Sequence, residues 1–441
     1  MPTPTTNTRV RTPLPEGTIP VGIALLIAGF ATYAFFRVGT VAVGGEDAFA
    51  PIASLWFAMF ALSPGFFLPL EQELGRALAS RRALGQGSRP VVGRIVTLGV
   101  ILVVAMVIVI AAFGSLLASS YFNGNWIMVV ALATAFAAYA PAHIARGISS
   151  GTGRFRNYAW IMGSDGIVRI VVCLALAAFG VSAIGAYAML IALAPLVAVI
   201  VVWRRGGLHT DPGPPAEWNE VTSNLGWLLL GSVFAASLLN AGPIAASLFA
   251  EPDQEALVTQ FSFGVLLARI PLFLFQAVQA ALLPRLARLA AQGQLAEFRS
   301  GLRRLMLVVL AVGVVGTGGA FVLGPWVIEV VYDAQLTNKT LAMLALSSAV
   351  YMGALATAQA VIALQGHALV ALGWGLGVVA FVLGTWLSSD QIFRRIEIGL
   401  LLSSIAALIT FAIALQVRLR AGAKPDQDSM MDAITDMPFE T

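Results

Sequence analysis

The chain has 441 residues, of which 59% are hydrophobic and 11% are charged. A soluble domain fills its core with a much smaller apolar fraction, so this composition excludes a soluble globular protein and indicates that lipid surrounds most of the chain. The 26 Lys and Arg residues only slightly outnumber the 22 Asp and Glu residues, and no basic domain is visible. The balance of charge therefore argues against nucleic acid as a partner.

Runs of apolar residues recur along the whole chain. A membrane-spanning helix needs roughly 17 to 25 mainly apolar residues, and the runs predict about twelve such helices. Predicted helices 1 to 6 cover 19–43, 48–74, 92–119, 124–146, 157–180 and 182–203. Predicted helices 7 to 12 cover 221–248, 256–284, 303–331, 337–364, 367–388 and 395–417.

A polar stretch, RRGGLHTDPGPPAEWNE, divides the two sets of helices. The sequence therefore predicts an all-α integral membrane protein with a six-helix N-lobe at 19–203, a cytoplasmic linker at 204–220 and a six-helix C-lobe at 221–417. The two ends of the chain, 1–18 and 418–441, contain few large apolar residues and are predicted to be disordered cytoplasmic segments.

The two lobes have similar sequence patterns. Predicted helix 2 runs through FFLPLEQELGRALASRRALGQG into a basic loop, and predicted helix 8 runs through ARIPLFLFQAVQAALLPRLARLAAQG into another. Pro64 then aligns with Pro271, and Arg76 with Arg285. Because each lobe has an even number of helices, both lobes start on the same side of the membrane. This predicts a parallel pseudo-two-fold axis along the membrane normal.

Arginines cluster in alternate loops, and this clustering predicts the orientation. They follow predicted helices 2 and 4 and continue in the linker, whereas the loops at 44–47, 120–125 and 251–255 are acidic or uncharged. Basic loops remain on the cytoplasmic side, so we predict a multi-pass protein of the plasma (inner) membrane with both termini cytoplasmic. Arg394 and Arg395 are an exception, since they lie in a predicted outer loop.

Charges inside membrane spans are costly, so they are candidates for a functional site. Arg269 lies near the middle of predicted helix 8, too far from either interface for its side chain to reach water easily. A guanidinium keeps its charge when desolvated and binds phosphate in a bidentate manner, through two parallel hydrogen bonds. Arg269 is therefore a candidate anchor for an anionic group. The structural alternative is an interhelical ion pair, or a bond to backbone carbonyls freed by Pro271.

Asp165 and Arg169 lie four residues apart on predicted helix 5, with the acid nearer the N-terminus, which is the favourable order for an ion pair. In one interpretation the two residues simply neutralise each other. In the other, Asp165 accepts a proton or a cation as the protein changes conformation, and this frees Arg169 to bind substrate. Both interpretations remain open from the sequence.

Three further polar residues lie at membrane depth. Arg37 is near the outer end of predicted helix 1, where a long side chain can reach the interface, and it becomes a second phosphate-binding candidate if it faces Arg269. Asn240 in predicted helix 7 and Gln276 in predicted helix 8 are candidate polar groups of a cavity, although such amides more often join helices.

Sequence motifs for catalysis are missing. Glu71 and Glu73 are expected to form local salt bridges near Arg76, the histidines are scattered, and Cys173 is the only cysteine. No HExxH, GxSxG, Walker or GxGxxG pattern occurs. The sequence therefore predicts no catalytic residues, no metal site and no cofactor. A membrane glycosyltransferase would use acidic residues of an outer loop such as Glu46, but that loop has only a few residues, so we predict that the protein is not an enzyme.

At the segments FFLPLEQELGRALASRRALGQG and ARIPLFLFQAVQAALLPRLARLAAQG, the sequence resembles polysaccharide-biosynthesis flippases of the multidrug/oligosaccharidyl-lipid/polysaccharide (MOP) superfamily. The resemblance covers the two-lobe, twelve-helix plan of the whole chain. It implies a protein that moves a polyprenyl-phosphate- or pyrophosphate-linked sugar from the inner to the outer leaflet by alternating access. It also implies that cavity arginines hold the lipid phosphate, which would give Arg269, and with it Arg37 and Arg169, that role.

The sequence differs from two other subfamilies of this superfamily, and these differences narrow the choice of substrate. The peptidoglycan-precursor flippases of the superfamily have fourteen helices, whereas twelve are predicted here. The drug antiporters of the superfamily use an acidic residue in helix 1, whereas predicted helix 1 contains Arg37 and no acidic residue. An anionic substrate fits these features better than a cationic drug does.

The prediction is therefore a flippase for a lipid-linked sugar in cell-envelope polysaccharide synthesis, with Asp165 as the candidate for ion coupling. Its expected partners are the polyprenyl-linked sugar lipid, membrane lipids and glycosyltransferases of the same pathway. The alternatives are a cation-coupled antiporter like the multidrug and toxic compound extrusion (MATE) proteins, a membrane glycosyltransferase and a scaffold that transports nothing.

Overall fold

The structure is a computed structural model that describes residues 18–222, 225–251, 253–272, 275, 289–290, 292–364 and 366–420. Within these ranges twelve helices are long and apolar enough to cross a membrane, and no strand occurs. This confirms the predicted fold class. The spans of the first lobe are α1 (Thr18–Val43), α2 (Glu46–Ala83), α3 (Arg89–Ala112), α4 (Trp126–Gly151), α5 (Phe155–Ala178) and α6 (Ile184–Arg204). Those of the second are α7 (Leu225–Phe249), α8 (Glu255–Ala268), α9 (Leu295–Tyr332), α10 (Asn338–Ala363), α11 (His367–Leu387) and α12 (Ile392–Arg420).

Local sequence explains where these helices begin and end. In a bilayer every backbone N–H and C=O must be satisfied within the protein, so apolar segments of this length become helices. Gly44 and Gly45 separate α1 from α2 with φ angles of 102° and 126°, which only glycine adopts without strain. The segment predicted as one helix at 92–119 is divided at Phe113 into α3 and a short helix, Gly114–Ser120.

Neighbouring helices repeat from one lobe to the other. In the first lobe α1 packs on α5, α2 on α4, and α4 and α5 on α6. In the second lobe α7 packs on α11, α8 on α10, and α10 and α11 on α12. Adding six to each helix number converts one set of contacts into the other. The two lobes therefore share one architecture, as a parallel repeat requires.

The basic end of the bundle, defined here as the end at which α1 begins and α2 ends, carries the linker. Arg81, at the end of α2, is 3% exposed and binds Glu220 through two bonds of 3.1 and 2.9 Å. It also donates to the carbonyl oxygens of Pro214 at 2.8 Å and Pro215 at 3.1 Å. The guanidinium of Arg94 lies 4.3 Å from the ring centre of Trp218. Arginines of the first lobe thus hold the linker against the ends of α2 and α3.

The opposite end, where α2 and α8 begin, is closed between the lobes by aromatic rings. Phe36 of α1 meets Phe263 of α8 with ring centres 6.3 Å apart, and Phe263 stacks on Tyr332 of α9 at 4.1 Å. Beside them, Gln260 donates to Glu46 at 2.6 Å. Among the described residues, these aromatic and polar contacts join the two lobes at this end.

Helix α2 packs closely on α4 because the contact is made of small residues. A Cβ atom at Gly147 would lie 2.9 Å from the carbonyl oxygen of Glu71. A Cβ atom at Gly151 would lie 2.6 Å from the Cβ of Leu78 and 2.7 Å from the carbonyl oxygen of Gly75. Small residues allow helix backbones to approach where no hydrophobic effect drives them together. The first lobe therefore has a rigid centre along this contact.

Gly151→Ala should destabilise the protein, because the new methyl group meets backbone atoms of α2 that cannot move aside. Overpacking of this kind costs about 1–3 kcal/mol. The measurement is the midpoint of thermal unfolding in detergent. Gly93→Ala in α3 is the matched control, since nothing lies within 4 Å of its added Cβ. Equal midpoints for the two variants would contradict the close contact of α2 and α4.

Candidate functional site

Arg269 lies at a break in α8. The regular helix ends at Ala268, Arg269 forms a turn, and helical structure resumes at 270–272. Pro271 explains the break, because proline has no N–H to continue the hydrogen-bond ladder and its ring crowds the preceding turn. The side chain of Arg269 remains inside the protein at 8% exposure. A permanent cation is thus placed inside the protein, where the regular helix of a membrane span is interrupted.

The partners of Arg269 are all uncharged. Its guanidinium donates to the carbonyl oxygen of Leu239 and, at 3.3 Å, to Oδ1 of Asn240. The ring centre of Phe57 lies 5.3 Å away and belongs to α2 of the other lobe. None of the ion pairs among the described residues includes Arg269. Its positive charge is therefore spread over neutral groups, and no carboxylate of the described part of the chain balances it.

Asn240 is oriented for this contact. Its side chain is 1% exposed, and its Nδ2 donates to the carbonyl oxygen of Ala236 at 2.8 Å, which turns Oδ1 toward Arg269. The structure thus brings together Arg269 and Asn240, two of the residues that the sequence proposed for a polar cavity. Gln276, which the sequence also proposed for this cavity, lies outside the described residues.

A cavity of about 40 Å³ lies beside Arg269, between α7, α8, α10 and α12. Polar groups of Ser347, Ser348, Tyr351 and Ser404 line it together with the guanidinium. The Tyr351 hydroxyl donates to the carbonyl oxygen of Ala235 at 3.2 Å. A space of this volume has room for a few water molecules and is too small for a sugar or a drug-sized molecule. The described residues therefore leave only a small space beside Arg269.

The ion pair of Asp165 and Arg169 forms on α5 as the spacing predicts. The two side chains meet at 2.6 Å, and Arg169 is 2% exposed on its side chain against 20% for Asp165. The guanidinium also lies 4.6 Å from the ring centre of Trp56 and 3.4 Å from the Tyr139 hydroxyl. One atom of each charged group, Nε of Arg169 and Oδ1 of Asp165, has no hydrogen-bond partner among the described residues. The pair is thus buried but incompletely satisfied. The role of Asp165 in ion coupling stays a prediction.

Helix α2 separates the two buried arginines. Arg169 stacks against Trp56 and Phe60, whereas Arg269 lies against Phe57. The cavity beside Arg269 does not reach Arg169. The arginines proposed for one phosphate site are therefore apart in this conformation, and only a movement of the lobes could expose them to one space.

Arg37 makes a contact between the lobes. Its Nη1 donates to the carbonyl oxygen of Tyr332 at 3.2 Å, at the last residue of α9. A cation at a helix C-terminus interacts favourably with the unpaired carbonyls and the helix dipole. Arg37 therefore helps to close the end opposite the basic end, and it does not line the cavity of Arg269.

A buried polar cluster that the sequence did not reveal joins α2, α4 and α5. Glu71 accepts hydrogen bonds from Arg146 at 2.8 and 3.0 Å and from Tyr158 at 2.9 Å, and its Oε2 lies 2.8 Å from Nδ1 of His143. The sequence placed Arg146 at the very end of predicted helix 4, next to a basic loop, whereas α4 continues to Gly151 and places Arg146 inside the helix. The expected pairing of Glu73 with Arg76 is present at 2.9 Å, but Glu71 faces α4 instead.

The sequence contained a partial signal for this cluster. His143 and Arg146 are three residues apart in an apolar span and so share a helix face, which marks ionisable residues at membrane depth. Nothing in the sequence indicates that Glu71, on another helix, completes the cluster. Among the described residues no group of three or more His, Cys, Asp or Glu side chains could hold a metal ion.

Comparison with known proteins identifies the fold. No protein-family model matches the chain, and no curated protein sequence matches it. Solved structures do match over almost the whole length. An inward-facing multidrug resistance MATE family transporter of the MOP superfamily aligns with a TM-score of 0.67, 16% identity, and coverage of 92% of this chain and 99% of the other.

Two further solved structures align with this chain to a similar extent. An outward-facing multidrug resistance MATE family transporter of the MOP superfamily gives a TM-score of 0.67 at 15% identity, covering 93% of this chain and 97% of the other. A mutant of a Vibrio cholerae MATE transporter gives 0.65 at 15% identity, covering 92% and 97%. At these identities the likeness establishes a shared fold. The chain thus has the fold of the MATE transporters, as the resemblance to the wider superfamily implied, and the sugar-flippase subtype stays a prediction.

Substitutions in the Asp165–Arg169 pair should show the cost of an unbalanced buried charge. Asp165→Asn leaves the guanidinium of Arg169 without its counter-ion, and breaking a buried pair from one side costs about 3 kcal/mol or more. Asp165→Asn together with Arg169→Met should cost clearly less, because no charge is then left behind.

The measurement is thermal unfolding of the single and double variants in detergent. Asp253→Asn, which removes an exposed loop carboxylate, is the control and should leave the unfolding midpoint unchanged. A double variant less stable than Asp165→Asn would show that the pair does not behave as one neutral unit.

Proposed function

We propose that this chain is a membrane transporter that moves a substrate with an anionic group across the bilayer by alternating access between its two lobes. The observation that carries this proposal is the buried charge of Arg269, which faces a cavity and has no carboxylate partner among the described residues. Burying such a charge is expensive, and a bound anion would offset that cost. The shared fold with MATE transporters supports transport as the activity.

The arrangement of the lobes supports alternating access. Contacts between the lobes at the end opposite the basic end are made by side chains that can separate: rings of Phe36 and Phe263, and the bond between Glu46 and Gln260. Within the first lobe, in contrast, α2 and α4 meet backbone to backbone. The first lobe is then a unit that can move as a whole, and its movement away from Arg269, which lies against Phe57 of α2, would open the space there.

A lipid-linked sugar phosphate is the anionic substrate that the sequence resemblance suggests. Its phosphate would bind the guanidinium of Arg269, with Asn240 and the serines of the cavity beside it, while the prenyl chain stays in lipid. This spares the polar head the cost of crossing hydrocarbon. Arg169 would join the site only if movement of α2 exposed it.

A cation-coupled antiporter of small molecules is the second candidate. The structures that share this fold include multidrug resistance MATE transporters, and this likeness favours the antiporter over the flippase. The buried carboxylate of Glu71 and the partly exposed carboxylate of Asp165 could take up a coupling ion. In this conformation, however, each of them faces an arginine. The charge around the C-lobe cavity therefore favours an anionic substrate, whichever subtype is correct.

Arg269→Gln should reduce transport by about 10–100-fold, because a hydrogen bond to a charged group contributes about 1.5–3 kcal/mol. Arg269→Lys keeps the charge without the two-pronged geometry and should retain part of the activity. The measurement is complementation of host cells depleted of the protein, followed by assay of the leaflet that holds prenyl-linked sugars. Arg303→Gln, at an exposed arginine of α9, is the control.

The two candidates differ in what the depleted cells show. A flippase leaves one prenyl-linked sugar in the inner leaflet, which wild type and Arg303→Gln clear and a well-folded Arg269→Gln does not. An antiporter leaves these lipids unchanged and alters efflux of cationic dyes. Full transport by Arg269→Gln in either assay would overturn the role of this arginine as an anion anchor.

Linking the lobes at the closed end should stop transport. Glu46→Cys with Gln260→Cys, in a background of Cys173→Ala, places two thiols where side chains now meet at 2.6 Å. A short bis-methanethiosulfonate, which forms a disulfide with each thiol and releases a sulfinate at each end, should abolish transport in the double variant and not in either single variant. Unimpaired transport by the cross-linked protein would contradict opening of the lobes at this end.

A further inference from the structure

A second cavity, of about 390 Å³, lies at the basic end of the first lobe, between the start of α5 and the end of α6. It is remote in the fold from Arg269, which belongs to the second lobe. Its lining contains three arginines, Arg154, Arg156 and Arg205, and no carboxylate. This concave surface therefore concentrates positive charge without balancing it.

Each arginine of this cavity has a different environment. Arg154 builds the wall, since its Nη1 donates to the carbonyl oxygens of Gly207 at 3.1 Å and His209 at 3.0 Å. Arg205 lies over the ring of Trp160 with 5.8 Å to the ring centre. Arg156 is exposed and makes no hydrogen bond or ion pair with any described residue. Two of the three guanidinium groups thus keep hydrogen-bond donors available for a ligand.

The backbone adds to the attraction for an anion. Arg154 precedes the first residue of α5, a helix of 24 residues whose N-terminus opens toward this cavity. The first N–H groups of a helix lack partners within it and carry a partial positive charge. Asn157 donates to the carbonyl oxygen of Gly207 at 3.0 Å and holds the opposite wall in place. A phosphate group at this position would meet arginine side chains and a helix N-terminus together.

The deeper part of the cavity is apolar and open toward lipid. Trp160 is 52% exposed and Val201 is 39% exposed, and both line the cavity one or two helical turns into the membrane spans. Trp203 beside them is 66% exposed. Contact with this apolar surface would not stabilise a bound inorganic phosphate ion. A phospholipid fits both parts, with its phosphodiester at the arginines and its acyl chains along the exposed apolar faces of α5 and α6.

We propose that the cavity formed by Arg154, Arg156, Trp160 and Arg205 binds the headgroup of an anionic phospholipid. The two exposed arginines bind the phosphodiester, and the indole ring of Trp160 lies at the level of the glycerol backbone, the depth at which tryptophan prefers to sit. The site does not depend on the transported substrate. It attaches the first lobe to an anionic leaflet at the basic end.

The test measures lipid retained by the full chain. Wild type, the double variant with Arg156→Gln and Arg205→Gln, and a control with Arg303→Gln and Arg304→Gln are purified from nanodiscs of mixed phosphatidylglycerol and phosphatidylcholine. Native mass spectrometry then gives the ratio of the two lipids bound. An arginine that contacts an anionic headgroup contributes about fivefold to lipid binding, so loss of both arginines of the cavity should lower the phosphatidylglycerol preference on the order of tenfold to thirtyfold.

The control removes the same number of exposed arginines from the same end of the other lobe, and it should keep the wild-type ratio. A double variant that folds and still prefers phosphatidylglycerol as wild type does would overturn the proposal, as would an equal loss in the control. Competition with inorganic phosphate separates the two sources of the anion. Displacement of phosphatidylglycerol by phosphate would show a site for free anions, whereas its persistence supports the lipid site.

Discussion

Burial of charge in a medium without water is the constraint on which this structure depends. Helices of the observed length satisfy their own backbone, so the remaining cost falls on ionisable side chains. In the first lobe, most buried ionisable side chains offset this cost by forming ion pairs. Arg169 pairs with Asp165, and Arg146 pairs with Glu71, which is also hydrogen-bonded to Tyr158. The Glu71 cluster joins α2, α4 and α5, whereas the Asp165–Arg169 pair lies within α5.

Arg269 meets the same constraint in another way. A carbonyl, an amide and an aromatic ring share its charge, and no carboxylate pairs with it among the described residues. A fully neutralised arginine would gain little from an anionic ligand, because the ligand would have to displace its counter-ion. The uncompensated arginine at a helix break is thus the position where an incoming anion would gain most. This asymmetry between the lobes is the main physical reason for placing substrate binding in the second lobe.

Helix α2 connects these environments. It contacts α4 through glycines, contacts α7 through the hydroxyls of Ser54 and Ser247 at 2.7 Å, and places Trp56 and Phe57 against the two buried arginines. It also ends at Arg81, which holds the linker. A helix that belongs to one lobe and lies along the other would transmit movement between them. Its prolines, such as Pro64 and Pro69, provide places where it can bend.

The sequence by itself determined the twelve spans, the division into two lobes and the pairing of Asp165 with Arg169, because hydropathy, loop charge and helical spacing are local properties. It also identified Arg269 as a charged residue whose side chain lies too far from either membrane interface to reach water easily. Only the tertiary structure decided which groups face each other across helices: Glu71 with Arg146, Arg37 with the end of α9, and Arg169 separated from Arg269 by α2. Those relations depend on how each helix is rotated and packed against its neighbours. The sequence of one helix therefore does not predict which side chains of another helix it will contact.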